Sequence, residues 1–264
     1  MSNLPDSFLP VCNTMLGFLQ EAKKETIEDD VSRLVFADWL EEQGDPRGTL
    51  IRLQIERARM NLHPREYQQI KEQENPILEQ IREWIEPLPS SVSTWHMSRG
   101  LISLRLDLIH PRETLEELEQ FSWWIWTRRL ASYGISDEGA MKLAECPQME
   151  NITSLDLEAM SVGPDGAVAL AHSPHLCNLV RLKMGSSDIY TRGVSALALS
   201  EHLQNLAVLD LRWITINPKS AQALAESPYL KKLEKLILTY NVDRDSQLLL
   251  RERFEGQGTE VLFQ

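Results

Sequence analysis

A short apolar phrase recurs every 27 residues in the second half of the chain, and this period constrains the fold more than any other feature. The phrase occurs as Leu155-Asp-Leu157, Leu182-Lys-Met184, Leu209-Asp-Leu211 and Leu236-Ile-Leu238. Alternation of apolar residues over so short a segment predicts a β-strand. One strand cannot bury its own apolar side, so the fixed period predicts stacked units that bury these residues against their neighbours.

An Ala- and Leu-rich segment accompanies each phrase, and its spacing predicts a helix. The four segments begin near Asp137, Asp165, Val194 and Ser220. Three of them stop before a proline, which lacks the N–H that would continue a helix. These stops are Cys146-Pro147, Ser173-Pro174 and Ser227-Pro228. Extending the period back by one further repeat predicts an earlier, divergent copy at Ile125, Arg128 and Leu130.

This combination resembles the leucine-rich repeat in its longer form, similar to the ribonuclease-inhibitor type. The family pattern Leu-x-x-Leu-x-Leu-x-x-Asn appears as Leu233-Glu-Lys-Leu236-Ile-Leu238-Thr-Tyr-Asn241. The resemblance implies an α/β solenoid with parallel strands on its concave side and helices on its convex side. The asparagine matches only at Asn241, so we expect the other turns to be satisfied differently or to be less regular. The residues at its earlier positions are Tyr133, Met160, Ser187 and Ile214.

The first ninety residues show helical periodicity without this repeat. The apolar spacing predicts helices around Leu16 and Leu19, over Val31 to Leu40, from about Gly48 to Met60 and from about Pro64 to Ile85. The turn Gly44-Asp45-Pro46 ends the second helix, and Pro64 suits the first turn of the fourth.

The stretch from Arg33 to Gln54, RLVFADWLEEQGDPRGTLIRLQ, resembles a small bacterial domain found beside repeat arrays, the repeat-companion domain. The resemblance covers roughly residues 8–90 and implies no activity, because the family is defined by its company. The segment from Trp95 to Leu106 is similar to the bridge from that domain into a first repeat strand. We therefore predict an all-helical domain over residues 1–92 that caps a leucine-rich-repeat solenoid over residues 93–257.

The end of the chain has a separate interpretation. The sequence Glu260-Val-Leu-Phe-Gln264 resembles what remains after a viral protease cuts a tag behind its glutamine. We therefore predict that residues 258–264 are a tag-cleavage remnant without a functional role.

Composition and charge narrow the class of function. The chain carries 27 Lys and Arg against 39 Asp and Glu, a net charge of −12, which disfavours nucleic acid as a partner. No apolar run is long enough to cross a bilayer, so we predict no membrane insertion. The start lacks the features of a signal peptide, and Cys12, Cys146 and Cys177 lack metal-ligand spacing. These features predict a cytoplasmic protein with reduced thiols.

Known catalytic motifs do not occur in the sequence. There is no glycine-rich phosphate loop, no nucleophile elbow and no His-Glu-x-x-His metal motif. The closest histidines, His172 and His175, have no cysteine or carboxylate at ligand spacing. We therefore predict that the protein is not an enzyme and has no catalytic, cofactor-binding or metal-binding residues.

A polar set in the helical domain has two interpretations. Its members are Asp38, Glu41, Asp45, Arg47, Arg52 and Gln54. These side chains can pair across the helix–turn–helix and fix the domain, or they can surround a regulatory or catalytic site. We favour the structural role, in which Asp45→Ala lowers the melting temperature. Unchanged stability together with lost binding would favour a site.

The residues between and beside the paired leucines are expected to line the concave side of the solenoid, where mixed charges suit protein recognition. The candidate partner-binding residues are Arg105, Arg129, Asp156, Glu158, Lys183, Asp210, Arg212, Trp213, Ile237 and Tyr240. Arg212 and Trp213 are of types enriched at interface hot spots, although Trp213 has the alternative of packing a turn. The aromatic cluster from Phe121 to Trp126 is either core packing or an exposed patch.

These patterns together predict a non-enzymatic adaptor, scaffold or regulatory subunit. It binds a protein partner through the concave face, needs no cofactor and is monomeric when free; the gene of the partner can lie nearby. One alternative is a regulatory or catalytic subunit with a site in the helical domain. Another is a structural unit that assembles with itself through the exposed ends or edges of the solenoid.

Overall fold

The computed structural model describes Gly17 and residues 30–59, 63–86, 88–107, 111–118, 121–133, 135–157, 161–185 and 187–264. Over these residues the chain is a mixed α/β protein with nine α-helices and one eight-stranded, mostly parallel sheet. The predicted helix around Leu16 and Leu19 falls outside the described residues, as do Met160 and the candidate Glu158.

The helices are α1 (Val31–Glu42), α2 (Arg47–Arg59), α3 (Pro64–Ile85), α4 (Pro111–Leu118), α5 (Asp137–Glu145), α6 (Pro164–His172), α7 (Tyr190–Ala198), α8 (Pro218–Ala225) and α9 (Arg244–Glu255). The strands are β1 (Val92–Ser98), β2 (Leu101–Asp107), β3 (Thr127–Tyr133), β4 (Ser154–Asp156), β5 (Arg181–Lys183), β6 (Val208–Leu211), β7 (Lys235–Leu238) and β8 (Glu260–Phe263). The helices α1 to α3 confirm the second, third and fourth helices that the sequence predicts. Within the described ranges, none of the helices combines the length and the hydrophobicity that a membrane span requires.

The chain forms two compact units, and each unit takes its residues from two separate stretches of the sequence. One comprises the described residues of Met1–Leu88 and Trp95–Ser103, and the other comprises those of Pro89–Thr94 and Leu104–Gln264. The predicted boundary at residue 92 falls where the sequence alternates between the two units, within the segment Pro89–Thr94 of the second.

The first unit contains α1, α2 and α3, and local signals explain where α1 ends and where α3 begins. Gly44 adopts a φ of 72° after α1, a conformation that favours glycine. The ring nitrogen of His63 accepts from the Arg65 N–H at 3.4 Å, and Glu66 accepts from the His63 N–H at 3.0 Å. This reciprocal capping starts α3 at Pro64, as the sequence predicts.

A tight turn at Arg99-Gly100 joins β1 to β2. Both residues have positive φ, 51° and 78°, which matches the twist of a two-residue hairpin. A Cβ on Gly100 would collide with Ile51, so a larger residue would displace the core there. Gln54, which is buried, donates to the Met97 carbonyl at 3.1 Å and accepts from the Arg99 N–H. These contacts fix the turn on the helices of the first unit.

The sheet follows the order of the sequence from β1 to β8, and β3 to β8 pair in parallel. The paired residues at the centre of the strands are Leu130, Leu155, Leu182, Leu209, Leu236 and Val261. The three middle steps between these residues have the predicted period, whereas the first and last steps are each two residues shorter. The extension of the period to a divergent first copy was therefore wrong by two positions, because Leu130 and not Arg128 lies opposite Leu155.

Small side chains allow neighbouring helices of the second unit to pack closely. A Cβ added to Gly166 in α6 would lie 2.9 Å from the Cβ of Ala140, and one added to Gly193 in α7 would lie 2.9 Å from that of Ala167. The Ala-rich composition of these segments is thus explained by helix-to-helix contact. The second unit also buries Trp124 and Trp126 at 2% exposure, so core packing is correct for these two members of the aromatic cluster.

Two rows of polar side chains tie each repeat to the one before it. The hydroxyls of Ser173, Ser200 and Ser227 donate to the carbonyls of Ala144, Ala171 and Ala198, respectively. On another turn, Asn178 and Asn205 donate to the carbonyls of Glu150 and Cys177 at 2.9 and 2.7 Å. Asn178 and Asn205 lie shortly before β5 and β6, so this second row joins neighbouring repeats ahead of each strand.

Candidate binding surface on the outer side of the sheet

The strands of the second unit alternate between buried and solvent-facing residues, and the solvent-facing ones form two outer rows. The first outer row consists of Arg129, Ser154, Arg181, Val208, Lys235 and Glu260. The second outer row consists of Ala131, Asp156, Lys183, Asp210, Ile237 and Leu262. All but Asp210 are partly or fully exposed, whereas the leucines between them are buried.

The register brings several predicted site residues together and separates others. Asp156, Lys183, Asp210 and Ile237 lie side by side in the second outer row, as the period predicts. Arg129 lies in the first outer row opposite Ser154, because the first repeat is two residues shorter. Arg105 is exposed on β2.

Most charges of the outer rows are paired with each other. Lys183 lies 3.3 Å from Asp156 on the neighbouring strand, and Lys235 lies 2.8 Å from Glu260. All four side chains are 37–57% exposed, so these pairs contribute little to stability in water. The register of the strands places these charged groups at set positions on the surface.

Asp210 and Arg212 form the most constrained pair of the surface. Oδ1 of Asp210 accepts from the Arg212 backbone N–H at 3.1 Å and from Nε at 3.0 Å, while Oδ2 accepts from a terminal guanidinium nitrogen at 2.8 Å. Such a two-pronged pair fixes both side chains and the backbone between them. The expected exposure of Asp210 was wrong, because Arg212 folds back over it and leaves it 1% exposed. Asp210 therefore fixes the backbone at the start of the turn after β6.

Trp213 and Tyr240 are the largest exposed side chains of this region. They are one full repeat apart, each two residues beyond the paired leucines Leu211 and Leu238, and are 61% and 67% exposed. The turn is packed by Ile214, which is 2% exposed, so Trp213 does not have the alternative role of filling the turn. Trp213 also has a φ of 63°, a left-handed conformation that is strained for a bulky residue.

The polar set of the first unit divides into buried and exposed members. Asp45 and Arg47 are 6% and 2% exposed and form a two-pronged pair, with Nε of Arg47 at 2.9 Å from Oδ1 of Asp45. Arg52 instead pairs at the surface with Asp38 and, at 3.2 Å, with Glu41.

A buried cluster that the sequence did not single out lies in the same unit. Asp30 accepts from Arg33 at 2.7 Å and from Arg99 at 2.9 Å, and Asp30 and Arg33 are each 1% exposed. The sequence indicates Asp30 only as an acidic residue near a helix start. Its partner Arg99 is 69 residues away, so no local pattern could indicate the contact.

The described ranges contain no cluster of three or more side chains that could hold a metal ion. The two neighbouring histidines have separate partners. Nδ1 of His172 lies 2.8 Å from the Val168 carbonyl, and Nδ1 of His175 lies 2.9 Å from Oε1 of Glu150.

No protein-family model matches the chain, and no curated protein sequence matches it. The resemblances to the repeat-companion domain and to the leucine-rich repeat therefore stay predictions that rest on the quoted motifs. The surface itself is an ordered row of paired charges with two exposed aromatic rings at its end.

Proposed function

We propose that the chain is a non-enzymatic protein-recognition module of the leucine-rich-repeat kind, preceded by a helical repeat-companion domain. In this proposal the outer rows form the concave face, which binds a partner protein. The exposure of Trp213 and Tyr240 at equivalent positions of adjacent repeats is the observation that supports it best. Aromatic side chains next to arginine are the types that dominate the energy of protein interfaces.

The contacts around the aromatic residues favour binding without rearrangement. The pair between Asp210 and Arg212 fixes the backbone immediately before Trp213, and the parallel strands on either side hold it in register. A partner then gains contact area without the loss of conformational entropy that ordering a loop would bring.

Affinity capture from the native cell extract tests the proposal. The immobilised wild-type protein is compared with the double variant Trp213→Ala/Tyr240→Ala, and Leu199→Ala serves as the matched control. Leu199 is 54% exposed but follows α7 and lies outside the outer rows. Hot-spot truncations weaken binding by roughly 2 kcal/mol or more. We therefore expect the double variant to capture at least about tenfold less of a specific partner than the wild type does.

The control variant should capture the same partner as the wild type. A specific partner that the double variant and the wild type retain equally would contradict the proposal. Circular dichroism of each variant, compared before the capture, separates lost binding from lost folding.

A further inference from the structure

Arg181 carries a charge that the residues paired with it in the sheet do not balance. Its partners across the sheet are Ser154 on β4 and Val208 on β6, neither of which is charged. Across the ranges that the structure describes, its guanidinium forms no salt bridge or hydrogen bond, whereas Lys183, Lys235 and Arg212 all do. Arg181 is partly buried at the centre of the surface.

The chemistry of a partly buried guanidinium favours one kind of group. It offers a planar fork of N–H donors that a carboxylate fills with two parallel hydrogen bonds. Partial burial reduces screening by water, so such a pair is stronger here than at an open surface. The chain as a whole carries a charge of −12. The two outer rows, with four basic residues (Arg129, Arg181, Lys183, Lys235) against three acidic ones (Asp156, Asp210, Glu260), do not share this acidity.

The register also sets a distance between Arg181 and the exposed aromatic pair. Val208 on β6 is the residue opposite Arg181, and Trp213 follows it by five positions, in the turn after β6. The three strand steps from Val208 to Leu211 cover about 10 Å at about 3.3 Å per residue, and Trp213 follows two residues later in the turn, so an extended peptide reaches from Arg181 to the aromatic pair with about three to five residues. Tyr240 lies one strand further on, at a spacing of about 4.8 Å.

Resting on the proposed function, we infer that the partner presents an extended peptide segment with one acidic residue to the outer rows. A Glu or Asp carboxylate of this segment pairs with Arg181. About three to five residues away, an aromatic or aliphatic side chain packs on Trp213 and Tyr240. A phosphate of a nucleic acid would also pair with the Arg181 guanidinium. However, the net charge of −12 on the protein repels a chain of phosphates more strongly than it repels a single carboxylate.

Selection from a phage-displayed library of random dodecapeptides tests this inference, with wild type and Arg181→Glu as separate baits. We expect wild-type peptides to share an acidic residue about three to five positions from an aromatic or aliphatic one. Arg181→Glu should enrich a basic residue in place of the acidic one. The wild-type consensus peptide is then synthesised, and its affinity is measured by fluorescence anisotropy.

In that measurement, Arg181→Glu and Arg181→Gln should each weaken the peptide at least about tenfold, the loss expected for one partly buried charge pair. Lys231→Glu is the charge-matched control, because Lys231 is exposed on a short helical turn outside the outer rows. It should bind as tightly as the wild type. Equal melting temperatures of the variants show that the loss is not one of folding.

The possible failures have different meanings. Consensus peptides without an acidic residue, or with an affinity that Arg181→Glu does not change, overturn the inference. The inference is also overturned if no peptide is enriched, or if a single-stranded oligonucleotide binds more tightly than the peptide. The proposed function survives these results if the double variant Trp213→Ala/Tyr240→Ala captures much less of the specific partner than the wild type does. It fails if the double variant captures as much of that partner as the wild type.

Discussion

At the scale of single residues, Trp213 combines two unfavourable features that folding alone does not explain. Its backbone is in the left-handed region and its indole is 61% exposed. A bulky residue in this conformation is strained by about 1–3 kcal/mol, and an exposed ring regains little of that through burial. Strain of this kind concentrates at sites of recognition. The sequence indicated the residue type but not the conformation, because the turn depends on the pairing of Asp210 with Arg212.

Replacement of Trp213 by asparagine tests this view of the residue. Asparagine adopts the left-handed conformation more readily, and the lost ring is mostly in water. We expect the free energy of unfolding to fall by no more than about 0.5 kcal/mol and to rise by no more than about 1 kcal/mol. Guanidinium denaturation measures the change. Trp126→Ala, at a site that is 2% exposed, should by contrast lose about 3–5 kcal/mol. A comparable loss at Trp213 would show that its ring is packed.

Asp45 and Asp38 form a matched pair of acidic residues in the first unit. Asp45→Ala leaves the buried guanidinium of Arg47 without its partner, which we expect to reduce stability by about 3–5 kcal/mol. Asp38→Ala removes a partner of Arg52 that is 58% exposed, and it should change stability by less than about 1 kcal/mol. Thermal unfolding of both variants measures the difference. A similar melting temperature for the two would refute the structural role of Asp45.

Glu74 gives a dependence on pH opposite to that of most carboxylates. Burial raises the pKa of Glu74 above its ordinary value, although the nearby cations of Arg57, at 3.2 Å, and Lys71 lower it in part. Because the folded state then binds the proton more tightly than the unfolded chain, stability is lost as pH rises through the interval between the two values.

The variant Glu74→Gln removes this titration. The free energy of unfolding of the wild type relative to Glu74→Gln should therefore fall over the pH interval that begins at the ordinary pKa of a glutamate, about 4, and extends upward to the raised pKa of Glu74. Urea denaturation at several pH values measures both proteins. A difference that rises over this interval would mean that the pKa is lowered in the folded state.

At the scale of elements, the period predicted the strands and helices well, and its failures have identifiable causes. Leu155, Leu182, Leu209 and Leu236 pair as predicted, since the repeats between them are equal in length. The placement of Arg129 beside Asp156 failed because the step before Leu155 is two residues shorter, and no sequence signal marks the missing two. The row of Asn178 and Asn205 was detectable, because these residues recur with the same period as the leucines.

The serine row offers a test of how much adjacent elements depend on each other. Ser200→Ala removes the donor to the Ala171 carbonyl at a site that is 5% exposed. We expect a loss of about 1–3 kcal/mol, since a buried acceptor is left unpaired. Ser195→Ala on α7 is the control, because Ser195 is partly exposed and lies outside the row. Equal stability of the two variants would argue against a role for the hydroxyl in joining repeats.

At the scale of the whole molecule, the predicted class of an α/β array with a sheet that follows the sequence agrees with the observed order from β1 to β8. The sequence did not predict that the hairpin of β1 and β2 contributes residues to both units. The tag remnant predicted at residues 258–264 stays a prediction. In the structure these residues contain β8, which pairs in parallel with β7.

Deletion of residues 258–264 shows whether this segment belongs to the fold. The deletion uncovers Leu236 and Leu238, which are both 0% exposed, and removes the hydrogen bond from Thr259 to the Leu233 carbonyl. We expect the melting temperature to fall by several degrees, at about 2–4 °C for each kcal/mol lost. Circular dichroism measures the transition. An unchanged melting temperature is the result expected of a dispensable tag.

The direction of the serine hydrogen bonds has a consequence for how the chain is made. Each donor belongs to a later repeat and each acceptor to the one before it, from Ser173 to Ala144 through Ser227 to Ala198. During synthesis the acceptor carbonyl of one repeat therefore leaves the ribosome before the hydroxyl that will bind it. Each new repeat can therefore dock on the repeat before it as soon as it emerges, so the array can grow in the order of translation without waiting for the end of the chain.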